Sequence, residues 1–302
     1  MMIRTARLQK ALEHALRAPS VHNTQPWRWQ LQGDVIKLFA DFDRQRPAND
    51  PGGRDLLISC GAALHHLRVA LGHEGHDAYV KYSPDLGDDS HLATITISDA
   101  PPDPTTARLF NAIAHRRTER RRMSYRPVPK PLLATLVESA RRFGPQVQPT
   151  REVREAFAAA FAEATERERW TPSRTTELRI WSRDRTRSRV LAGSPSGLDP
   201  LPEDGPHEDA AEFLLLTTAE DRTYDRLRVG EALSSLLLTA TNAELATMPI
   251  SLDPRGAVLR MDEAISEHPQ IVVRVGWPLA RSADAPRTRR RDLTSVLVAS
   301  AS

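Results

Sequence analysis

Cysteine, lysine and long apolar stretches are scarce in this chain. Cys60 is the one cysteine among 302 residues, which excludes an intrachain disulfide and a thiolate metal cluster. No apolar run is long enough to cross a bilayer, and the N-terminus lacks the apolar core of a signal peptide. The sequence therefore predicts a cytoplasmic protein without membrane contacts. No Walker loop or Gly-x-Gly-x-x-Gly motif occurs, so neither a P-loop nor a Rossmann site is expected.

Arginine supplies nearly all of the positive charge, because lysine occurs only at positions 10, 37, 81 and 130. Arginine binds phosphate and carboxylate groups through a planar fork of N–H donors. The net charge of +3 is too small to indicate nucleic-acid binding by itself. We expect no nucleic-acid partner and keep an arginine-rich nucleic-acid binder as the weakest alternative.

The first hundred residues predict helices alternating with strands. Apolar residues at helical spacing predict a helix over 5–17, which Pro19 ends. Alternating apolar residues over 27–31 and 35–40 predict a β-hairpin. The remaining predicted elements here are a buried helix over 54–72 and strands over 79–82 and 92–97.

Three prolines within residues 100–105 mark the best boundary in the chain. It divides the chain into two halves, 1–100 and 101–302. Residues 171–209 predict a long irregular excursion, and such long loops often form lids. The predicted elements of the second half are helices over 106–115, 131–142, 152–169 and 226–245 and strands over 213–218 and 270–276. Both halves together predict the α+β class with antiparallel or mixed sheets.

Residues 17–28 read Arg-Ala-Pro-Ser-Val-His-Asn-Thr-Gln-Pro-Trp-Arg and follow the first predicted helix. Such a loop offers hydrogen-bond donors and acceptors to a planar ligand, with Trp27 as its anchor in the core. The side chains of Ser20 and Asn23 are the candidates for these contacts. From local chemistry alone, the loop is as compatible with a plain helix-ending turn.

A second motif, His-Arg-Arg-Thr-Glu-Arg-Arg-Arg over 115–122, is typical of an anion clamp. Adjacent arginines point in different directions, so only part of the cluster can reach one phosphate. For Arg121 and Arg122 a solvated basic face is the expected role.

These motifs resemble those of the nitroreductase-like flavoproteins. Residues 18–27 resemble the family's Pro-Ser-x-x-Asn-x-Gln-Pro-Trp loop, and 116–120 resemble its Arg-Arg-Ser-x-Arg motif with Thr118 in place of serine. Residues 230–251 are similar to its long apolar helix and following Pro-Ile turn. Residues 275–278 and 287–293 are similar to its closing strand and basic tail.

The resemblance implies a site for flavin mononucleotide (FMN), with NAD(P)H as the reductant and no catalytic side chain. The implied ring contacts come from Pro19, Ser20, Val21, His22, Asn23 and Gln25. The implied phosphate contacts come from Arg116, Arg117, Thr118, Arg120, Arg289 and Arg290. The turn formed by Pro249, Ile250 and Ser251 is implied to lie near the redox-active nitrogen of the ring.

The order of the motifs is reversed relative to the ordinary family member, in which the arginine motif precedes the Pro-Ser loop. This order is similar to the single-chain actinobacterial branch called the Acg type. We predict a fused pseudo-dimer, monomeric or homodimeric, with one composite flavin site per chain. The predicted activity is reduction of a small nitroaromatic or quinone-like acceptor. The alternative is an FMN-binding or sequestering protein that the 171–209 excursion closes as a lid.

A metal site is not expected, although His65, His66, His73 and His76 lie close together in the sequence. A helix would splay these residues, and no carboxylate pattern supports them. Cys60, on an apolar helix, is expected to be a small buried hydrophobe.

Overall fold

Two four-stranded antiparallel sheets flank a pair of long helices in the computed structural model. The structure describes residues 2–83, 85, 87–101, 104–149, 210–252, 267–279 and 288–299. The helix predicted over 152–169 and the excursion over 171–209 lie outside these residues.

The first sheet has the strand order β1-β2-β4-β3 and the second has the order β5-β6-β8-β7. The strands are β1 (Trp27–Gln32), β2 (Val35–Ala40), β3 (His76–Tyr82), β4 (His91–Asp99), β5 (Gln146–Pro149), β6 (Glu212–Thr218), β7 (Ala246–Ser251) and β8 (His268–Gly276). The helices are α1 (Met2–Ala15), α2 (Arg54–His73), α3 (Pro104–His115), α4 (Lys130–Arg141), α5 (Thr223–Asn242) and α6 (Leu293–Val296). The predicted α+β class is confirmed, with both sheets antiparallel.

The two sheets repeat one topology. In the first, α2 connects β2 to β3; in the second, α5 connects β6 to β7. Each of these helices packs against its own sheet and against the other helix. Because a sheet covers one side of each helix and the other helix covers another side, most residues of α2 and α5 are buried.

The end of the chain returns to the first half. Leu297 forms a parallel bridge with Trp29 of β1, and the Val298 N–H donates to the Trp29 carbonyl at 2.8 Å. Strand β1 is an edge of the first sheet, so its outer backbone groups are available for this pairing. This return carries the basic tail at 288–292 past the Pro-Ser loop.

Two sequence predictions need correction. The turn predicted at 248–251 is the end of strand β7, an edge strand in which Pro249 pairs with Val273. An edge strand tolerates proline because only one of its sides needs backbone donors. Strand β5 was not predicted, since Gln-Val-Gln-Pro is short and has a single buried residue, Val147.

The predicted helix over 226–245 begins earlier, at Thr223. The Asp225 carboxylate accepts the Arg222 N–H at 3.1 Å and so caps the first turn. None of the helices that the structure describes has the length and hydropathy of a membrane span.

Candidate functional site

The loop between α1 and β1 holds three non-glycine residues in the left-handed region. His22, Asn23 and Gln25 have φ values of 45°, 60° and 50°. Such backbone costs of order 1–3 kcal/mol per residue and persists only where the surroundings impose it. Strain of this kind is typical of ligand-binding loops.

Contacts with α2 and within the loop impose this shape. The Val21 N–H donates to Ser59 Oγ at 3.1 Å, and the Gln25 N–H donates to Ser20 Oγ at 3.0 Å. Trp27 is fully buried, as the sequence predicts for an anchor. The Ser20 hydroxyl accepts in this arrangement, so its own proton remains available to a ligand.

The amide side chains of Asn23 and Gln25 hydrogen-bond the C-terminal tail, and we call this set of bonds the clasp. Asn23 Nδ2 donates to the Arg289 carbonyl at 3.0 Å, and Arg290 Nη1 donates to Asn23 Oδ1 at 3.0 Å. The Arg291 N–H donates to Gln25 Oε1 at 2.7 Å. The sequence predicts ring contacts for both amides; in the structure these two side chains hold the tail beside the loop.

A buried carboxylate strengthens the clasp. Arg291 Nη1 lies 3.2 Å from Asp41 Oδ2, and Arg28 Nη2 lies 2.7 Å from Asp41 Oδ1. Asp41 is 3% exposed, so these charge-assisted bonds are poorly screened by water. No local pattern predicts this contact, because Asp41 and Arg291 are 250 residues apart.

The arginine motif begins where α3 ends and runs past β7. The Arg116 N–H closes the last turn on the Ala112 carbonyl at 2.8 Å, and the Glu119 N–H donates to the Thr247 carbonyl at 2.8 Å. Arg121 forms an ion pair with Glu119 at 2.7 Å. As expected for the outer members of the motif, Arg121 remains about half exposed, at 48% of its side chain.

Arg116 is the buried centre of the positive charge. It is 7% exposed, and among the described residues its Nε and Nη1 groups have no hydrogen-bond partner. Burial, with the charges of Arg290, Arg117 and Arg120, lowers the pKa of Arg116 to about 9. Burial and Arg117 lower the pKa of Arg290 to about 10. Both pKa values are lowered because buried positive charges lie close together, and an anion would stabilise these charges.

A cleft of about 430 Å³ joins these segments. Its walls contain Pro19, Ser20 and Asn23 from the loop, Arg116, Arg117, Thr118 and Arg120 from the arginine motif, and Arg290 from the tail. Further lining residues that the sequence did not predict include Glu13, Arg17, Ile113, Arg291 and Asp292. The structure thus brings the beginning, middle and end of the chain to one basic cavity.

The remaining predicted site residues do not line this cleft. They are Val21, His22, Gln25, Arg289, Pro249, Ile250 and Ser251. The Arg289 side chain is exposed, and its carbonyl serves the clasp. Arg291 lines the cleft instead of Arg289. The spacing of the arginines in the tail does not show which of them faces the cleft.

Strand β7 connects the arginine motif to the start of α2. Its Thr247 accepts from the motif, and Ser251 at its other end hydrogen-bonds the Asp55 side chain. Asp55 keeps some exposed surface, but its Oδ1 is enclosed without a partner among the described residues. Burial and the nearby Asp50 raise the pKa of Asp55 to about 6. The sequence did not mark Asp55, which stands after an ordinary turn.

The histidines of α2 lie inside the protein. His65 and His66 are buried, and Ser234 of α5 lies 2.8 Å from the Nδ1 atom of each. No group of three potential metal ligands occurs in the ranges that the structure describes. Cys60 is fully buried, as predicted, and burial raises the pKa of its thiol.

An α+β fold with a basic cleft, built from a Pro-Ser loop, an arginine motif and a basic tail, has the features of the nitroreductase-like class. The sequence relatives establish the membership. A Mycobacterium tuberculosis protein named Putative NAD(P)H nitroreductase Rv3131 is 36% identical over 96% of this chain and 90% of its own length. Another from that organism, Putative NAD(P)H nitroreductase acg, is 32% identical over 98% of this chain and 96% of its own length. The chain therefore belongs to the nitroreductase-like family, in its Acg type.

Among solved structures, the FMN-dependent nitroreductase NfnB of Mycobacterium smegmatis in complex with NADPH is similar, with a TM-score of 0.45 and 16% identity. The match covers 65% of this chain and 100% of that one. The FMN- and NADPH-dependent NfnB of sphigopyxis sp. strain HMH has a TM-score of 0.47 at 16% identity, over 64% of this chain and 99% of that one. No protein-family model matches the chain.

Proposed function

We propose that the chain binds FMN in the basic cleft and uses NAD(P)H to reduce a small nitroaromatic or quinone-like acceptor. The observation that carries the proposal is Arg116, whose buried Nε and Nη1 groups have no acceptor among the described residues. It lies in a cleft that other arginines of the motif and the tail also line. A buried polar group without a partner is costly, so a natural ligand for this position is an anion.

The donor set fits the phosphate end of FMN. A phosphate dianion would accept charge-assisted hydrogen bonds from Arg116 and Arg290 and a neutral one from Thr118, all of which line the cleft. Each bond to a charged group contributes about 1.5–3 kcal/mol. Two or three such bonds supply much of the roughly 8 kcal/mol of a micromolar complex.

For the ring end, we propose contacts from Pro19, Ser20 and the loop backbone, with the end of β7 on the opposite side. An edge strand leaves alternate backbone N–H groups without a ladder partner. We propose that a backbone N–H of this strand edge, from Ile250 or Ser251, reaches the ring. The strained loop at 22–25 would hold its donors in a fixed direction.

Bound FMN supplies the hydride and electron transfer, so the protein needs no nucleophilic side chain. Its own residues bind the phosphate, orient the ring and limit access to it. The names of the M. tuberculosis relatives support NAD(P)H as the electron source.

We also propose that the two halves, 1–100 and 101–302, descend from two fused subunits and share one composite site. The repeated strand order supports this proposal. A monomer would then suffice for flavin binding, and sedimentation of the flavin-bound protein will test this.

The test of the function has two steps. The purified protein should show the visible spectrum of bound flavin, and anaerobic mixing with NADPH or NADH should bleach it within seconds. A chain that binds no FMN contradicts the proposal. The alternative, flavin sequestration, requires a bound flavin that stays oxidised after mixing, and bleaching that appears once 171–209 are deleted.

A further inference from the structure

Strand β3 is an open edge of the first sheet. It pairs with β4 on one side only. The opposite edge of this sheet, β1, is covered by the returning residues 297–298. Within the described residues, no other segment hydrogen-bonds the outer backbone groups of β3. An uncovered strand edge is a template for pairing with another strand.

The register of β3 shows which of its backbone groups face outward. The Ile97 N–H of β4 donates to the Asp34 carbonyl, on the side of β4 opposite to β3. Ile97 is paired with Ala78, so Ala78 occupies a non-hydrogen-bonded site of the ladder and its N–H points away from β4. Because this direction alternates along a strand, Val80 also points outward. The outward Ala78 N–H has a local acceptor instead, Asp77 Oδ1 at 2.8 Å.

The solvent-facing side chains of β3 form a self-complementary row. Asp77, Tyr79 and Lys81 are exposed and alternate with buried or half-buried side chains. Tyr79 is 74% exposed, the largest value among the exposed large hydrophobic side chains of the described residues. The row therefore consists of an acid, an aromatic ring and a base, with Tyr79 two residues from each charge.

We propose that β3 pairs antiparallel with β3 of a second copy of this chain, about a twofold axis at Tyr79. In this register Ala78 faces the partner's Val80, and these outward-facing positions exchange N–H···O bonds. Asp77 faces the partner's Lys81 on each side of the axis, so two opposite-charge pairs flank the pair of tyrosines. These side chains occupy non-hydrogen-bonded sites, where facing residues lie closest.

The charges select this register over its neighbours. An axis at Ala78 or at Val80 would also pair outward-facing backbone groups, but it would place a charge opposite Tyr79 instead of opposite the other charge. With the axis at Tyr79, the partner's Val80 carbonyl replaces Asp77 as the acceptor of the Ala78 N–H. The Asp77 carboxylate is then released to the partner's Lys81.

This interface does not depend on the flavin site. Strand β3 contributes no residue to the walls of the cleft. The second copy would therefore leave the cleft open, and a variant that stays monomeric should bind FMN as wild type does.

Sedimentation of the full chain tests the pairing by exchange of charges. The mass of wild type should rise from 33.7 kDa toward twice this value between about 1 and 500 μM, since small interfaces are weak. Lys81→Asp and Asp77→Lys each place like charges opposite each other, and each should weaken self-association at least about tenfold. An equimolar mixture of the two variants restores both opposite-charge pairs and should associate within about threefold of wild type. Lys37→Asp, on the inner strand β2, is the control for net charge and should associate as wild type does.

Cross-linking locates the axis. Tyr79→Cys places two thiols at a non-hydrogen-bonded pair, where the Cα atoms are about 4.5 Å apart, within the range of a disulfide. Asp77→Cys is the matched control, because its two copies would be about 13 Å apart along the strands. Under air oxidation the first variant should form a covalent dimer at least about tenfold faster than the second. The native Cys60 is buried and should not compete.

Three results would overturn the inference. One is a dimer that Lys81→Asp leaves intact, and another is equal cross-linking of the two cysteine variants. The third is a wild-type chain that stays monomeric at the highest concentration, which would leave the edge of β3 to an extended segment of another protein.

Discussion

Gly61 and Gly230 face each other where α2 and α5 cross. A β-carbon added to Gly61 would lie 2.0 Å from the Leu227 carbonyl oxygen, and one added to Gly230 would lie 2.1 Å from the Ile58 carbonyl oxygen. Gly61 is the eighth residue of the 20-residue helix α2, and Gly230 is the eighth residue of the 20-residue helix α5. Each glycine lies against the carbonyl of the residue three positions before the opposite glycine. Equivalent positions therefore meet each other, as they do in the self-complementary interface of a symmetric dimer.

Gly61→Ala should destabilise the protein by more than about 3 kcal/mol or prevent folding, because backbone would have to move to admit one methyl group. The measurement is urea unfolding with circular dichroism. Gly52→Ala is the control, since the nearest atoms to its β-carbon are flexible Arg226 nitrogens at 3.9 Å. Comparable stability of the two variants would show that the helices do not cross this closely.

Arg116→Met should weaken FMN binding at least tenfold yet make the ligand-free protein more stable. The variant removes a buried charge whose Nε and Nη1 donors have no partner in the described part of the chain. We expect its removal to raise the free energy of unfolding by about 1–2 kcal/mol in phosphate-free buffer. Thermal unfolding with and without added phosphate measures both effects. Phosphate should raise the melting temperature of wild type but not of the variant; a less stable ligand-free variant would contradict the argument.

Asn23→Ala should loosen the tail and weaken FMN binding about tenfold, because Arg290 loses one of its acceptors and Arg289 loses the donor to its carbonyl. Gln30→Ala is the matched control. It removes another amide contact with the returning chain end, the 3.1 Å bond to the Ala299 carbonyl, which lies outside the residues of the cleft. Equal losses in both variants would assign the effect to general attachment of the chain end.

Asp55→Asn should change how stability depends on pH. The pKa of Asp55 is raised from 3.8 to about 6 in the folded protein, so the folded state holds this proton more tightly than the unfolded chain. The contribution of Asp55 to stability is therefore greatest below pH 4 and is lost as pH rises to about 6.

Asparagine does not ionise, so the variant does not lose stability in this way as the pH rises. The free energy of unfolding of the variant minus that of wild type should therefore increase between pH 4 and pH 6, by up to about 3 kcal/mol. Urea unfolding at several pH values between 4 and 7 measures it. The exposed Asp89→Asn serves as the control. A constant difference between wild type and Asp55→Asn across this range would show that Asp55 is not perturbed.

One FMN should bind per chain, because the position that the repeat relates to the end of β7, where we propose that the flavin ring binds, is filled by other side chains. Tyr82 ends β3 as Ser251 ends β7, and Tyr82 packs against Tyr224, which occupies the position in α5 that Asp55 occupies in α2. The fully buried Glu231 lies beside Tyr82 and accepts from Tyr82 and from Arg228, each at 2.7 Å. Titration of flavin-free protein with FMN should give one FMN bound per chain. Two FMN per chain would show that the second position is not filled.

The sequence predicted most of the regular elements because their patterns are local. Helix α2 and the hairpin of β1 and β2 have apolar residues at the spacing of their secondary structure. Strand β5 and the strand character of Pro249 were missed. In both cases pairing with a neighbouring strand, which no local pattern records, decides the conformation.

The sequence by itself determined the class of protein: two motifs of specific composition, an α+β order of elements and a scarcity of cysteine and lysine. Only the tertiary structure decided which side chains share the cleft. The hydrogen bond between Asn23 and Arg290 and the burial of Arg116 depend on contacts between segments far apart in the chain. The spacing of residues along a sequence determines which face of a helix or strand each residue occupies. The packing of helices against each other, and the return of the C-terminal segment to β1, determine which residues that face contacts.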